Sequence, residues 1–133
     1  MRLDHVAFRV ADLDRAIRFY SDCLGLKLLF KERDEDHHEA FAFLELEGGN
    51  LELLQDLDEN NRPVEYAPPP VHPPYTPHLA IATDDLEFLV TSIEDEGIPI
   101  LKGPMEIPAK VRWLYISDPD NNIVEFVQWL DRQ

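Results

Sequence analysis

One cysteine, Cys23, is all the chain has. No disulfide can form within it, and a reducing compartment is expected. Basic residues are scarce as well: 12 Lys and Arg stand against 27 Asp and Glu, for a formal charge of −15. Nucleic acid and anionic membrane surfaces would be repelled by that charge, which excludes them as partners. Most of the carboxylates are expected to do no more than keep the surface soluble. No apolar run approaches the roughly 20 residues of a membrane span, and the first residues lack the apolar stretch of a signal peptide. A cytoplasmic location is the expectation. What is present is an ordinary globular balance, 44% hydrophobic and 29% charged over 133 residues. That suffices for a single domain with a real core.

The chain also says nearly the same thing twice. "DHVAFRVADL" (4–13) returns as "PHLAIATDDL" (77–86), so His5 and Asp12-Leu13 reappear 73 positions later as His78 and Asp85-Leu86. The same shift carries "LELLQ" (51–55) onto "VEFVQ" (124–128), placing Glu52 on Glu125 and Gln55 on Gln128. One deletion sets Gly25 opposite Gly97. Two copies of one architecture explain this pattern.

Each copy reads alike. "LDHVAFRV" alternates as a strand, with Val6, Phe8 and Val10 on one face and His5, Ala7 and Arg9 on the other. Asp12 is placed to cap a helix whose Leu13, Ala16, Ile17, Tyr20 and Leu24 form an apolar stripe that Gly25 ends. Cys23 falls on its apolar side and is expected to pack. Three strand-like runs follow, "LKLLFKER", "EAFAFLEL" and "NLELLQ". The second half repeats the order with "HLAIAT", a helix over about 86–96, then "IPIL", "RWLYIS" and "NIVEFVQWL". The fold class is α+β, two tandem βαβββ modules over about 1–55 and 78–133. Between them, residues 56–77 hold seven of the eleven prolines. Such a linker is extended and semi-rigid, serving as a connector or as the roof of a pocket.

If the modules pack about a pseudo-twofold axis, equivalent residues approach one another. His5, Glu52, His78 and Glu125 then converge as two imidazoles and two carboxylates, a set that calls for a compensating divalent cation. Ala7, Ala80 and Ala82 leave room beside them. His37 and His38 have no partner in the repeat and read as solvated turn residues, and His72 among the prolines reads as incidental.

The order His…Glu…His…Glu on paired βαβββ units resembles the vicinal oxygen chelate superfamily (glyoxalase/bleomycin resistance/extradiol dioxygenase), over essentially the whole chain. "MRLDHVAFRVADLDRAIRFYSDCLGLKLL" looks especially like glyoxalase I, the lactoylglutathione lyase, and "DPDNNIVEFV" resembles the family's Asp-Pro-Asp turn and glutamate-bearing strand. The resemblance implies a half-open barrel around a metal site, with His5, Glu52, His78 and Glu125 as ligands. It also implies that Arg9 meets an anionic substrate. The chain departs from glyoxalase I where "QDLDENNRP" stands for an Asn-Trp-Gly segment and "GPMEIPAKVR" for a glycine-rich loop. Both segments help hold glutathione there, so the thiol carrier stays open.

The mixed N and O ligand set suits Ni, Zn, Co, Mn or Fe, one ion per site. The implied chemistry is that of a lyase or isomerase stabilising an enediolate on a small oxygen-chelating substrate. Glu125 is the first candidate for the catalytic base and Glu52 the second. The competing functions are a sequestering protein for an antibiotic or other ligand, a non-haem Fe(II) dioxygenase using His5, His78 and Glu125, and thiol transfer to an antibiotic. A homodimer is expected, because a half of about 60 residues leaves sheet edges and an apolar face to cover.

Overall fold

A computed structural model describes residues 1–132. The chain forms two compact units, Met1–Pro69 and Pro70–Gln133, so the linker divides between them.

The first unit runs β1 (His5–Arg9), α1 (Leu13–Ile17), β2 (Leu28–Asp34), β3 (Glu39–Leu44) and β4 (Asn50–Asp56). Its strands lie in the order β1-β4-β3-β2. β1 runs parallel to β4 and the other pairs are antiparallel. The second unit runs β5 (Leu79–Ala82), α2 (Leu86–Asp95), β6 (Ile100–Ile107), β7 (Val111–Ser117) and β8 (Ile123–Trp129). Its order is β5-β8-β7-β6, again with the first strand parallel to the last. Both units are therefore βαβββ, and the protein is α+β.

The alternation along the strands decides which face is buried. Ala40, Ala42 and Leu44 on β3 and Leu51 and Leu53 on β4 are buried with Leu13, Ala16 and Tyr20. In the second unit Leu114, Ile116, Val124 and Phe126 are buried, as are Leu86 and Ile93 of the helix. Each large side chain so enclosed contributes roughly 1.5–3 kcal/mol. The opposite face of each sheet, which carries the histidines and glutamates, stays partly open.

Helix capping follows the repeat. Asp12 accepts the backbone N–H of Arg15 and Asp85 that of Phe88. The repeated glutamines complete the caps: Gln55 accepts the N–H of Leu13 and Gln128 that of Leu86. Gly25 and Gly97 end the helical segments at positive φ.

Three expectations need correction. The first helix is not α-helical as far as Gly25; after Ile17 it widens to a π-helix over Arg18–Cys23. Leu24 N–H bonds back to the Phe19 carbonyl, five residues earlier. Phe19 and Tyr20 are both buried in this wider turn. Cys23 at its end is half-buried. Next, β6 is twice the length of "IPIL" and takes in Gly103-Pro104. Its register shifts between Lys102 and Met105, and β6 is an edge strand, where proline is tolerated. Gly103 has φ +106 and a Cβ there would come 2.9 Å from the Trp113 carbonyl, so only glycine fits. Last, the linker begins as a tight hairpin rather than an extended run. Leu57 bridges Pro63, and the Asp58 carboxylate accepts the N–H groups of Asn60 and Arg62.

Candidate metal centre

Each unit builds the same half-site. In the first, His5 opens β1 and Glu52 lies on neighbouring β4, whose register sets Glu52 opposite Ala7. His5 Nε2 is 3.5 Å from Glu52 Oε1. In the second, His78 immediately precedes β5, and Glu125 on β8 stands opposite Ala80. His78 Nε2 is 3.2 Å from Glu125 Oε1. The side chains of both glutamates are 15% exposed.

The other nitrogen of each ring is already engaged. His78 Nδ1 lies 2.7 Å from the carbonyl of Tyr75. A carbonyl only accepts, so Nδ1 carries a proton, and in the neutral ring Nε2 presents its lone pair to Glu125. His5 Nδ1 donates in the same way to Asp4 Oδ2 at 2.6 Å. That bond raises the His5 pKa above 6.5 against the opposing pull of burial, with the Glu52 charge adding a smaller push.

An imidazole lone pair facing a carboxylate oxygen at 3.2–3.5 Å is two acceptors without a donor. The arrangement is satisfied by a proton or by a cation. Histidines with Nδ1 held and Nε2 turned toward a carboxylate suit a divalent ion, and the imidazole nitrogen and carboxylate of each unit are donors of the type such an ion takes. Within either unit, no three described His, Cys, Asp or Glu side chains gather as a complete ligand set. Each unit supplies one histidine and one glutamate.

The neighbours were not all legible beforehand. Phe43 meets the His5 ring edge-on at 5.3 Å, and Tyr115 meets His78 likewise at 5.4 Å. Tyr115 also faces Glu125 across the β7–β8 ladder. Burial first, and then the Glu125 charge, push its phenol above 10. Strand alternation could have singled out Tyr115, whereas nothing in the sequence marked the Tyr75 carbonyl. Beside Glu125 opens an apolar hollow of about 210 Å³, lined by Ile107, Val111, Trp113, Val127 and Trp129. The "DPDNN" turn that leads into β8 is structural. Asp118 accepts from the N–H groups of Asp120 and Asn122 and from the Asn122 amide.

Arg9 ends β1 on the face that carries His5. Its guanidinium is 3.6 Å from Asp56 Oδ2 and lies over the ring of Tyr66, 4.4 Å from the centroid. His37 and His38 sit in the β2–β3 connection, where Asp34 holds His37 and Asn61 holds His38. His38 is half-buried, so it ties two turns together rather than standing in solvent. His72 is exposed, its Nδ1 directed at the Pro73 carbonyl. A larger cleft of about 320 Å³, bounded by Asp12, Asp14, Lys31 and Arg33, contains none of the four site residues.

Comparison with known proteins bears on the family and the fold. The lactoylglutathione lyase of Haemophilus influenzae is 30% identical over 130 residues, which cover 96% of this chain and 93% of that protein. The trypanothione-dependent glyoxalase I of Leishmania major matches with a TM-score of 0.72 at 26% identity, covering 96% of this chain and 86% of that one. TnmS3, an antibiotic binding protein from Streptomyces sp. CB03234, matches with a TM-score of 0.73, covering 97% and 96% of the two chains. At 21% identity that last likeness is one of fold alone. A family model spans residues 2–126, and with it the chain belongs to the glyoxalase/bleomycin resistance protein/dioxygenase superfamily.

Proposed function

We propose that the protein is a divalent-metal-dependent lyase or isomerase of the glyoxalase type, acting on a small oxygen-bearing substrate such as a thiol conjugate of an α-ketoaldehyde. The observation that carries this reading is the doubled half-site, in which each histidine has Nδ1 engaged and Nε2 facing a glutamate. His5, Glu52, His78 and Glu125 would hold the ion. A divalent ion bound there supplies Lewis acidity toward vicinal oxygens of the substrate.

The chain's own residues do the rest. Glu125 Oε1 accepts the proton of a hydroxyl-bearing carbon beside a carbonyl and returns it to the carbonyl carbon, while the hydroxyl proton passes to the former carbonyl oxygen. Atoms and electrons are conserved, so the net reaction is an isomerisation. The hollow beside Glu125 lines one side of it with apolar side chains, and such a setting suits a carboxylate working as a base. Glu52 is the alternative base. Arg9 orients an anionic end of the substrate.

We read the protein as a cytoplasmic homodimer with equivalent sites. Among the described residues no helix is long and apolar enough to cross a membrane. The decisive experiment is elemental analysis of purified protein, followed by a metal-dependent activity screen with methylglyoxal plus several thiols, and with catechols. Metal-dependent turnover of a methylglyoxal–thiol adduct supports the reading. Oxygen-dependent cleavage of a catechol, or bound metal with no turnover of any kind, replaces it with the dioxygenase or the sequestering protein.

A further inference from the structure

Strand register sets Gln55 of β4, Ala40 of β3 and Arg33 of β2 in one row across the first sheet. The next row holds Leu53, Ala42 and Lys31. Ala40, Ala42 and Leu53 are buried with residues of α1, so both rows lie on the helix face, opposite Glu52 and Phe43. Ala40 offers only a methyl, and above it opens the cleft of about 320 Å³ between β2 and the start of α1. Lys31 and Arg33 form one wall, Asp12 and Asp14 the other. Glu32 borders the cleft as well, but alternation along β2 turns its carboxylate to the other face.

The second copy closes the same place with its own side chains. The equivalent row in the second sheet is Gln128, Arg112 and Glu106. Arg112 takes the central position that Ala40 holds in the first, and its Nε lies 3.8 Å from Glu106 Oε1. The glutamines differ too. Gln128 Nε2 donates to the Asp84 carbonyl at 2.9 Å. Gln55 is half-buried and accepts from Leu13 N–H through its oxygen, yet its amide nitrogen donates to none of the described residues. The architecture therefore completes this row with a charged group between the glutamine and the rim residue, opposite in sign to the rim. In the first copy the rim residue is Arg33 and the centre is a methyl. A group that completes that row from outside is an anion.

The groups around the cleft are able to receive one. Arg33 donates to the Asn61 carbonyl and lies 3.6 Å from Glu35, and its five donors exceed those two contacts. Lys31 Nζ is 3.3 Å from Asp14 Oδ1, with side chains 58% and 66% exposed, so the pair is weak and its members re-partner at little cost. Cations on one wall and carboxylates on the other suit a ligand that carries both charges. The volume is at the low end for small-molecule sites.

We infer that this cleft binds a small amphoteric molecule, an α-amino acid, with its carboxylate between Arg33 and Gln55 Nε2 and its ammonium against Asp14. The site lies on the face of the sheet away from Glu52 and does not depend on the lyase reading.

The test follows the side-chain amide signals of Gln55 and Gln128 by NMR in isotope-labelled protein, as purified and again with added zinc. L-leucine should shift Gln55 and leave Gln128 in place, equally in both preparations. Isocaproate lacks the amine and L-leucinamide the carboxylate, and each should bind roughly three- to tenfold more weakly. Arg33→Gln should weaken L-leucine by a similar factor, and Asp14→Asn should weaken L-leucine but not isocaproate. Ala40→Arg combined with Arg33→Glu rebuilds the row of the second copy and should abolish the response; if that pair does not fold, Arg33→Gln alone decides. A Gln55 signal unmoved up to roughly 50 mM L-leucine overturns the inference. So do equal affinities for the three probes, an Arg33→Gln variant that binds as wild type, or a response that appears only with zinc, which would belong to the metal centre.

Discussion

Gln128 receives the backbone N–H of Leu86 on its side-chain oxygen at 3.0 Å, as Gln55 receives that of Leu13 at 2.9 Å. Both bonds join the last strand of a unit to the first turn of its helix. They explain why the glutamine recurs three residues after each site glutamate. Its role is to hold helix against sheet, and chemistry is not required of it.

Gln55→Ala and Gln128→Ala should each destabilise the protein by about 1–2 kcal/mol, the cost of leaving a part-buried amide without its acceptor. Urea denaturation would measure this as a lowered midpoint at unchanged slope. Loss of metal affinity without loss of stability would show that these side chains act on the site instead.

The repeat made the two His–Glu pairs legible, because His5, Glu52, His78 and Glu125 keep their types and their strand phase at one shift. What the repeat does not contain stayed hidden. Tyr75 and Tyr66 lie in the linker, which has no second copy, and one contributes a carbonyl that no side-chain pattern reports. The π-helix was illegible for a different reason. The stripe of Leu13, Ala16, Ile17, Tyr20 and Leu24 fits a period of 3.6, and only the bond from Leu24 to Phe19 reveals the wider turn. β6 was cut short because Gly103-Pro104 reads as a breaker, while an edge position and a register shift let the strand continue through it.

The β2–β3 turn should titrate as a unit. The hydrogen bond from His37 to Asp34 raises the histidine above 6.5 and holds the carboxyl below 3.8. The histidine's contribution is complete below pH 6.5 and fades as pH rises through its folded value. That of the carboxylate is present above pH 3.8 and fades as pH falls through its own. The pair therefore acts in the window between the two folded values. NMR titration of the His37 ring should give a pKa above 6.5 that falls back toward it in Asp34→Asn; an unmoved value would mean the contact is not populated in solution.

Metal removal should weaken the fold. In each unit a histidine lone pair faces a carboxylate, and without a cation that contact is satisfied only by protonation. An ion that binds only the folded chain stabilises it by mass action, by about 2.7 kcal/mol at a hundred times its Kd. Chelator should lower Tm, with recovery on adding a divalent ion. A Tm indifferent to both would leave the sequestering protein as the better reading.

The final prediction separates holding the ion from doing the chemistry. Glu125→Gln keeps an oxygen of the same reach beside His78 but removes the proton acceptor. The ion should stay, more loosely held, while kcat falls by roughly 10²–10⁴, the loss expected for a general base. His78→Ala takes away a ligand whose Nδ1 is anchored to the Tyr75 carbonyl, so it should empty the site and abolish activity through the ion. Glu52→Gln should fall between the two, since it weakens a ligand but spares the favoured base. A dioxygenase ranks the variants differently, with Glu52→Gln nearly silent and activity tied to Fe(II) and oxygen. Metal content by elemental analysis, read beside single-turnover rates, distinguishes these orders. Should Glu125→Gln keep both its metal and near-full turnover, the proton acceptor lies elsewhere, and Glu52, the matching carboxylate of the first unit, becomes the next residue to test.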